Sequence, residues 1–232
     1  MTESLLRVGH RGSGAVAPEN TLEGIRAAFE HELDMVEIDV VRDHKKCLMV
    51  AHEPGDIHYE TPTLRSALKF FRLEAPSETM LVLDLKVGDA SLEIIRLLQQ
   101  HDLIRRTIVC ALHPSWLVEL RDCCPQITTG FSYPRDRVGL ADITIVQPFI
   151  RFAMAVLRRF LPYRVIRMAR KSQADAVMLH HALVSSEVIK RCSSYGLPVF
   201  VWTVDDAGLA RRFAIAGARG IISNNPFILK EV

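Results

Sequence analysis

Short apolar or β-branched runs alternate along the chain with stretches whose apolar residues recur at helical spacing. Residues 5–9 read as a strand, and 21–32 as a helix with Leu22, Ile25, Ala28 and Phe29 on one face. A strand over 35–41 follows, then a polar turn at 43–46 and a short extended run at 48–51. Pro62 sits in the first turn of a helix predicted over 62–72. Strands at 80–85, 107–112 and 127–131 are separated by helices at 91–101 and 115–123. Beyond residue 175 the alternation resumes, with strands at 176–179, 198–203 and 220–222. Between them lie helices at 185–195 and 207–216, closed by Gly196 and Gly217.

With 48–51 set aside as an extension, the pattern holds eight strands alternating with helices, which means a parallel sheet under helical cover. Eight such units in 232 residues fit the α/β class and a closed (β/α)8 TIM barrel; an open doubly wound sheet is the alternative. No linker rich in Gly, Pro or Ser divides the chain, so one domain over 1–232 is expected. One segment, 147–173, departs from the rhythm. It reads as a long helical stretch with Pro162 inside it, and carries Arg151, Arg158, Arg159, Arg164, Arg167, Arg170 and Lys171 but no acid.

Composition narrows the setting. The chain is 49% hydrophobic, enough for a core that needs no staple. A net charge of +2 argues for neither a nucleic acid nor an acidic partner overall. The five cysteines follow no disulfide or zinc spacing, so reduced thiols are expected. With no signal-like or membrane-spanning apolar stretch, the cytoplasm is the expected location.

The sharpest chemical signal is Val36-Glu37-Ile38-Asp39-Val40. On a strand, Glu37 and Asp39 share one face, about 7 Å apart, while the apolar residues take the other. In a parallel barrel both faces are buried, so two like charges would point to the interior and need compensation. A hard divalent cation supplies it, as do bonded arginines or a solvated rim. Asp84 and Lys86 repeat the arrangement, as a third oxygen ligand beside a phosphate-binding amine or as a plain ion pair. His10 and Arg11 end the first strand, and His52 ends the 48–51 run. In a barrel those ends face the mouth, where imidazoles serve as acid and base and Arg11 can bind phosphate. A lone histidine, by contrast, is more often a packed or surface residue.

Together these residues resemble the glycerophosphodiester phosphodiesterases. His10-Arg11-Gly12 is followed by Pro18-Glu19-Asn20-Thr21, then by the Glu37-x-Asp39 strand, Asp43 and His52, and the Asp84-x-Lys86 pair. Towards the end come Gly196-Leu197-Pro198-Val199, Trp202-Thr203-Val204-Asp205, Gly217 to Ile221, and Pro226. The resemblance implies a (β/α)8 barrel with His10 and His52 as acid and base. It also implies one divalent metal, Ca2+ or Mg2+, on Glu37, Asp39 and Asp84. Arg11 and Lys86 would contact phosphate, and Trp202 would wall the pocket. Asn20 or Thr21 can cap the helix that follows, which makes the motif mainly structural, and Asn20 can also line the site. The implied reaction converts a small glycerophosphodiester to glycerol 3-phosphate and an alcohol.

Five departures stand out. His52 is followed by Glu53 where the family has Asp, and the third acid is Asp84 where Glu is common. Trp-Thr-Val-Asn ends in Asp205, and Thr-Asp-x-Pro reads Ser223-Asn224-Asn225-Pro226. The family's capping insertion has little room in 53–80, which predicts an open pocket. Basic and apolar residues over 149–171 can lie on an anionic membrane, or simply form a solvated helix face. Two alternatives to the lead function follow: a lysophospholipase D acting on membrane lysolipids, and an inactive barrel serving as a binding module. No nucleic-acid role is expected, and the sequence is silent on oligomeric state.

Overall fold

Eight strands close into a parallel ring with helices laid against its outer face. The computed structural model describes residues 4–134 and 160–232. The ring runs β1 (Leu6–Gly9), β2 (Met35–Arg42), β4 (Met80–Leu85), β5 (Thr107–Ala111), β6 (Thr128–Tyr133), β7 (Ala176–His180), β8 (Val199–Trp202) and β9 (Gly220–Ser223). β9 pairs with β1, and β1 with β2, so the sheet has no open edge within the ring and the doubly wound alternative is excluded. The outer helices are α1 (Leu22–Glu30), α2 (Leu64–Glu74), α3 (Ser91–Gln100), α4 (Pro114–Cys123), α5 (described over 160–171), α6 (Ser186–Ser194), α7 (Ala207–Ile215) and α8 (Pro226–Leu229).

Side-chain caps set several of the helix starts. The hydroxyls of Thr21, Thr63 and Ser185 and the Asp206 carboxylate each accept a backbone N–H from the first turn that follows. In α2 this displaces the expected start. Thr63 Oγ1 accepts from Ser66 N at 3.1 Å, so the helix begins at Leu64 and Pro62 lies just outside it. Of the basic segment predicted over 147–173, residues 160–171 are helical, and 147–159 lie outside the described residues.

The remaining strand, β3 (Leu48–Val50), pairs antiparallel with the end of β2, Val40 opposite Val50. Asp43 closes this hairpin by accepting the N–H groups of Lys45 and Cys47, both at 2.8 Å. The hairpin returns the chain to the mouth and sets His52 beside β2.

Two apolar layers fill the molecule. Outward residues such as Val36, Ile38, Val40, Leu81, Leu83 and Val109 pack under the helices. Inward residues Val8, Met35, Val82, Ile108, Met178, Phe200 and Ile222 fill the lower barrel. Gly130 is required there, since a Cβ would lie 2.7 Å from Cys110 Sγ and 3.1 Å from Met178 Cε. Above this plug, at the C-terminal ends of the strands, the inward positions turn polar. All five cysteines are free.

Candidate active site

The loop after β1 folds back over β2. Arg11 and Asn20 both take left-handed backbone conformations, with φ of 50° and 57°. Such residues cost about 1 kcal/mol or more each, and here they aim polar groups at buried acids. Arg11 N donates to Glu37 Oε2 at 2.8 Å, and Gly12 N to Glu37 O at 2.9 Å. Gly12, at φ 93°, lies so close to α1 that a Cβ would sit 2.5 Å from Gly24 C. Asn20 stands behind Asp39 and clamps it at two points. Its Oδ1 accepts Asp39 N at 3.0 Å, and its Nδ2 donates to Asp39 Oδ2 at 3.1 Å.

Strand alternation turns Glu37 and Asp39 inward, and parallel register sets Asp39 opposite Asp84 on β4. Ligand atoms of Glu37, Asp39 and Asp84 all lie within 4.8 Å of one another. Lys86 Nζ bridges two of these acids, at 3.0 Å from Asp39 Oδ1 and 2.5 Å from Asp84 Oδ2. Arg11 Nε lies 3.1 Å from Asp39 Oδ2 as an ion pair, without hydrogen-bond alignment, while its Nη1 donates to Glu19 at 2.6 Å. The acid–lysine ion pair and the arginine–acid pairing foreseen as alternatives to a metal site are therefore both present, inside the same cluster.

Charge is unevenly shared among the three acids. Burial would raise the Asp39 carboxyl, but its bond with His52 and the charges of Lys86 and Arg11 hold it well below the usual carboxylate range. Burial, with Asp39 and Asp84 nearby, pushes Glu37 well up despite the Arg11 N–H. Burial also raises Asp84 against the opposing charge of Lys86. Asp84 Oδ1 is buried with no hydrogen-bond partner. An orphaned carboxylate oxygen and a glutamate driven towards its neutral form mark a site with less positive charge than three acids need. The donor set, all carboxylate oxygen, suits a hard divalent cation.

Both imidazoles reach this cluster. His52 Nδ1 lies 3.1 Å from Asp39 Oδ2. His10 Nε2 lies 4.0 Å from Glu37 Oε2, and its Nδ1 is 2.7 Å from Asn224 Oδ1. Burial lowers the His10 pKa, and Arg11 adds to the effect; the Asn224 bond and the charges of Asp39 and Glu19 oppose it. Asn224 is itself held by Asp205, whose Oδ2 accepts from Asn224 Nδ2 at 2.7 Å. The two departures near the end of the sequence are thus each other's partners.

A cavity of about 330 Å³ joins these groups. His10, Arg11, Glu37, Asp39, His52, Asp84 and Lys86 form its charged half, and Leu112, His113, Trp116, Pro134, Met178 and Trp202 its apolar half. Trp202 lines this half, with its ring edge-on to His180 at 5.1 Å between centroids. Trp116, its ring tilted 38° to that of His113 with 4.5 Å between centroids, also lines the cavity and was missed by sequence reasoning. Its place in the first turn after β5 was the available signal, since such positions face a barrel's mouth. Of the two residues offered as caps, Thr21 caps α1, and Asn20 holds Asp39 from behind.

A family model described as "Glycerophosphoryl diester phosphodiesterase family" matches residues 10–120 and 139–227. The Bacillus subtilis protein YhdW, provisionally named a glycerophosphodiester phosphodiesterase, is 26% identical over 240 residues, covering 97% of this chain and 96% of its own. The glycerophosphodiester phosphodiesterase of Caldanaerobacter subterraneus subsp. tengcongensis is 22% identical, covering 95% of this chain and 94% of its own. Among solved structures, an Oleispira antarctica phosphodiesterase in complex with the product sn-glycerol-3-phosphate superposes with a TM-score of 0.73 at 18% identity. It covers 97% of this chain and 95% of its own, and the likeness is one of fold.

Proposed function

We propose, from the premise that this chain belongs to the glycerophosphoryl diester phosphodiesterase family, that it hydrolyses a glycerophosphodiester to glycerol 3-phosphate and an alcohol. One observation carries the reading: three carboxylates within 4.8 Å and two imidazoles open on the same cavity. The cluster fits a divalent ion, Ca2+ or Mg2+, held by Glu37, Asp39 and Asp84. Such an ion would supply Lewis-acid polarisation of a phosphoryl oxygen.

The remaining work falls to the chain's own groups. Arg11 and Lys86 bring positive charge to the phosphate. His10, kept neutral by burial, takes the proton of a glycerol hydroxyl vicinal to the phosphate. That oxygen bonds to phosphorus, and the bond from phosphorus to the alcohol breaks. His52 gives the leaving oxygen its proton. Water then opens the cyclic phosphate with the proton movements reversed, yielding glycerol 3-phosphate. An internal nucleophile is favoured because proximity replaces a second encounter. Trp202 and Trp116 wall the alcohol's side.

His10→Ala and His52→Ala are each expected to lower kcat by about 10²- to 10⁴-fold, with the fold retained by circular dichroism. Undiminished turnover in either would refute its role. Absence of turnover in the unaltered chain, over a panel of diesters with each ion, would favour a binding module instead.

A second reading, activity on membrane lysolipids, draws on α5. Arg164, Arg167, Arg170 and Lys171 are exposed on it beside Phe160 and Tyr163, with no ion pair among the described residues. A basic face with exposed aromatics suits an anionic lipid surface. Faster turnover of glycerophosphocholine than of its acylated form would argue against it. Among the described residues no helix is long and apolar enough to cross a membrane.

A further inference from the structure

We infer that Asp205 and Asn224 form a positioning pair that holds the His10 imidazole in one tautomer, its proton on Nδ1 and its Nε2 lone pair turned to the acidic cluster. The inference rests on His10 acting as a base through Nε2.

The hydrogen-bond directions follow one from another. Asp205 Oδ1 accepts from Ser223 Oγ at 2.8 Å and from Asn224 N at 2.9 Å, and Asp205 Oδ2 lies 2.7 Å from the Asn224 side-chain amide. An ionised carboxylate only accepts, so the amide must turn its nitrogen to Asp205. Its oxygen therefore faces the other way, where His10 Nδ1 lies 2.7 Å off. An amide oxygen also only accepts, so His10 Nδ1 must donate. A neutral imidazole has one N–H, which leaves Nε2 bare. That nitrogen lies 4.0 Å from Glu37 Oε2, on the cavity side of the ring.

The backbone fixes the relay at both ends. His10 N donates to Ser223 O at 2.8 Å, and Ala15 N to Asn224 O at 3.0 Å. Asp205 stands three residues beyond β8, and Asn224 directly follows β9. Neither side chain lines the cavity, so both act through His10. In the other tautomer, two lone pairs would oppose each other across the 2.7 Å between Nδ1 and Oδ1. Without Asp205 the Asn224 amide is free to turn over and offer its nitrogen to His10. That would move the ring proton to Nε2 and remove the base from the cavity.

The test combines 15N-histidine NMR of the metal-free protein, with His10→Ala used to assign the ring, and steady-state kinetics of the metal-loaded enzyme. At a pH where the ring is neutral, His10 should show a protonated Nδ1 and a bare Nε2. Asp205→Asn should mix or reverse these signals and lower kcat by about 10-fold or more, within the range of general-base effects, with KM little changed. The exchange variant Asp205→Asn with Asn224→Asp rebuilds the relay, with an amide at position 205 donating to a carboxylate at position 224. It should restore the tautomer and bring kcat back to within about 3-fold, a difference of under about 1 kcal/mol. A wild-type ring protonated on Nε2, or an Asp205→Asn variant with unchanged signals and kcat, would overturn the inference. So would an exchange variant no better than Asp205→Asn alone. Full turnover in His10→Ala would instead refute the base role itself, leaving the tautomer to be read from the spectrum.

Discussion

Nitrogen atoms of Asn20, His52, Lys86 and Arg11 converge on Asp39 at 3.0 to 3.1 Å, whereas Glu37 and Asp84 sit in the same cluster with less compensation. This imbalance has consequences for stability of opposite sign. Asp39, held below its unfolded value, stabilises the fold above about pH 4 and loses that contribution as pH falls through its folded value. Glu37, held above its unfolded value, destabilises the metal-free fold once pH rises past about 4.3, and acid relieves it. Metal-free Glu37→Gln should therefore melt above the wild type at pH 7, by about 2 to 4 °C per kcal/mol relieved, and lose that advantage at pH 4. Thermal melts in chelator at the two pH values decide it; an equal or lower Tm at pH 7 would contradict the assignment. His10 is lowered by burial, so its neutral form persists below the ordinary histidine value. The acid limb of kcat/KM governed by it should fall below about pH 6.5, and a limb above that value would contradict a buried base. At this scale the Glu37–Asp39 pair was legible because strand alternation alone puts both on one face. The Asp205–Asn224 partnership was not: the residues stand 19 apart, and only the adjacency of β8 and β9 brings them together.

The elements follow the chain's periodicity closely, and their ends less so. β6 runs on to Tyr133 and β7 to His180, because parallel neighbours continue to pair there, Tyr133 opposite Leu179 and His180 opposite Trp202. No local pattern marks such ends, since pairing is decided by the adjacent strand. β3 is the element on which the site depends most, because its antiparallel return sets His52 against Asp39 rather than at the next strand's end. β6 shows how full the interior is. Gly130→Ala would drive a Cβ to 2.7 Å from the buried Cys110 Sγ, below the polar mouth. Overpacking of this kind costs about 1 to 3 kcal/mol, so a Tm loss of about 2 to 12 °C is expected. An unchanged melt would show that the barrel has room at that layer.

Ring closure gives the whole molecule its function, by bringing the ends of β1, β2, β4 and β9 to one mouth although they span the chain from His10 to Asn224. The alternation of strands and helices announced a barrel, but the open doubly wound sheet shares that alternation, and only the β9–β1 and β1–β2 pairings separate them. The peripheral membrane contact proposed for α5 belongs to the outer surface. Vesicles rich in phosphatidylglycerol should sediment the protein at low salt, and Arg167→Glu with Arg170→Glu should release it without changing turnover of a water-soluble diester; no sedimentation of the unaltered chain would end that reading. Release of glycerol 3-phosphate tests the joint action of the acidic trio and the imidazoles beside it most directly. Protein stripped by chelator should release none from a glycerophosphodiester, and Ca2+ or Mg2+ should restore release, but not in Asp84→Asn. Full release by the stripped protein, or none with any divalent ion, would contradict the account.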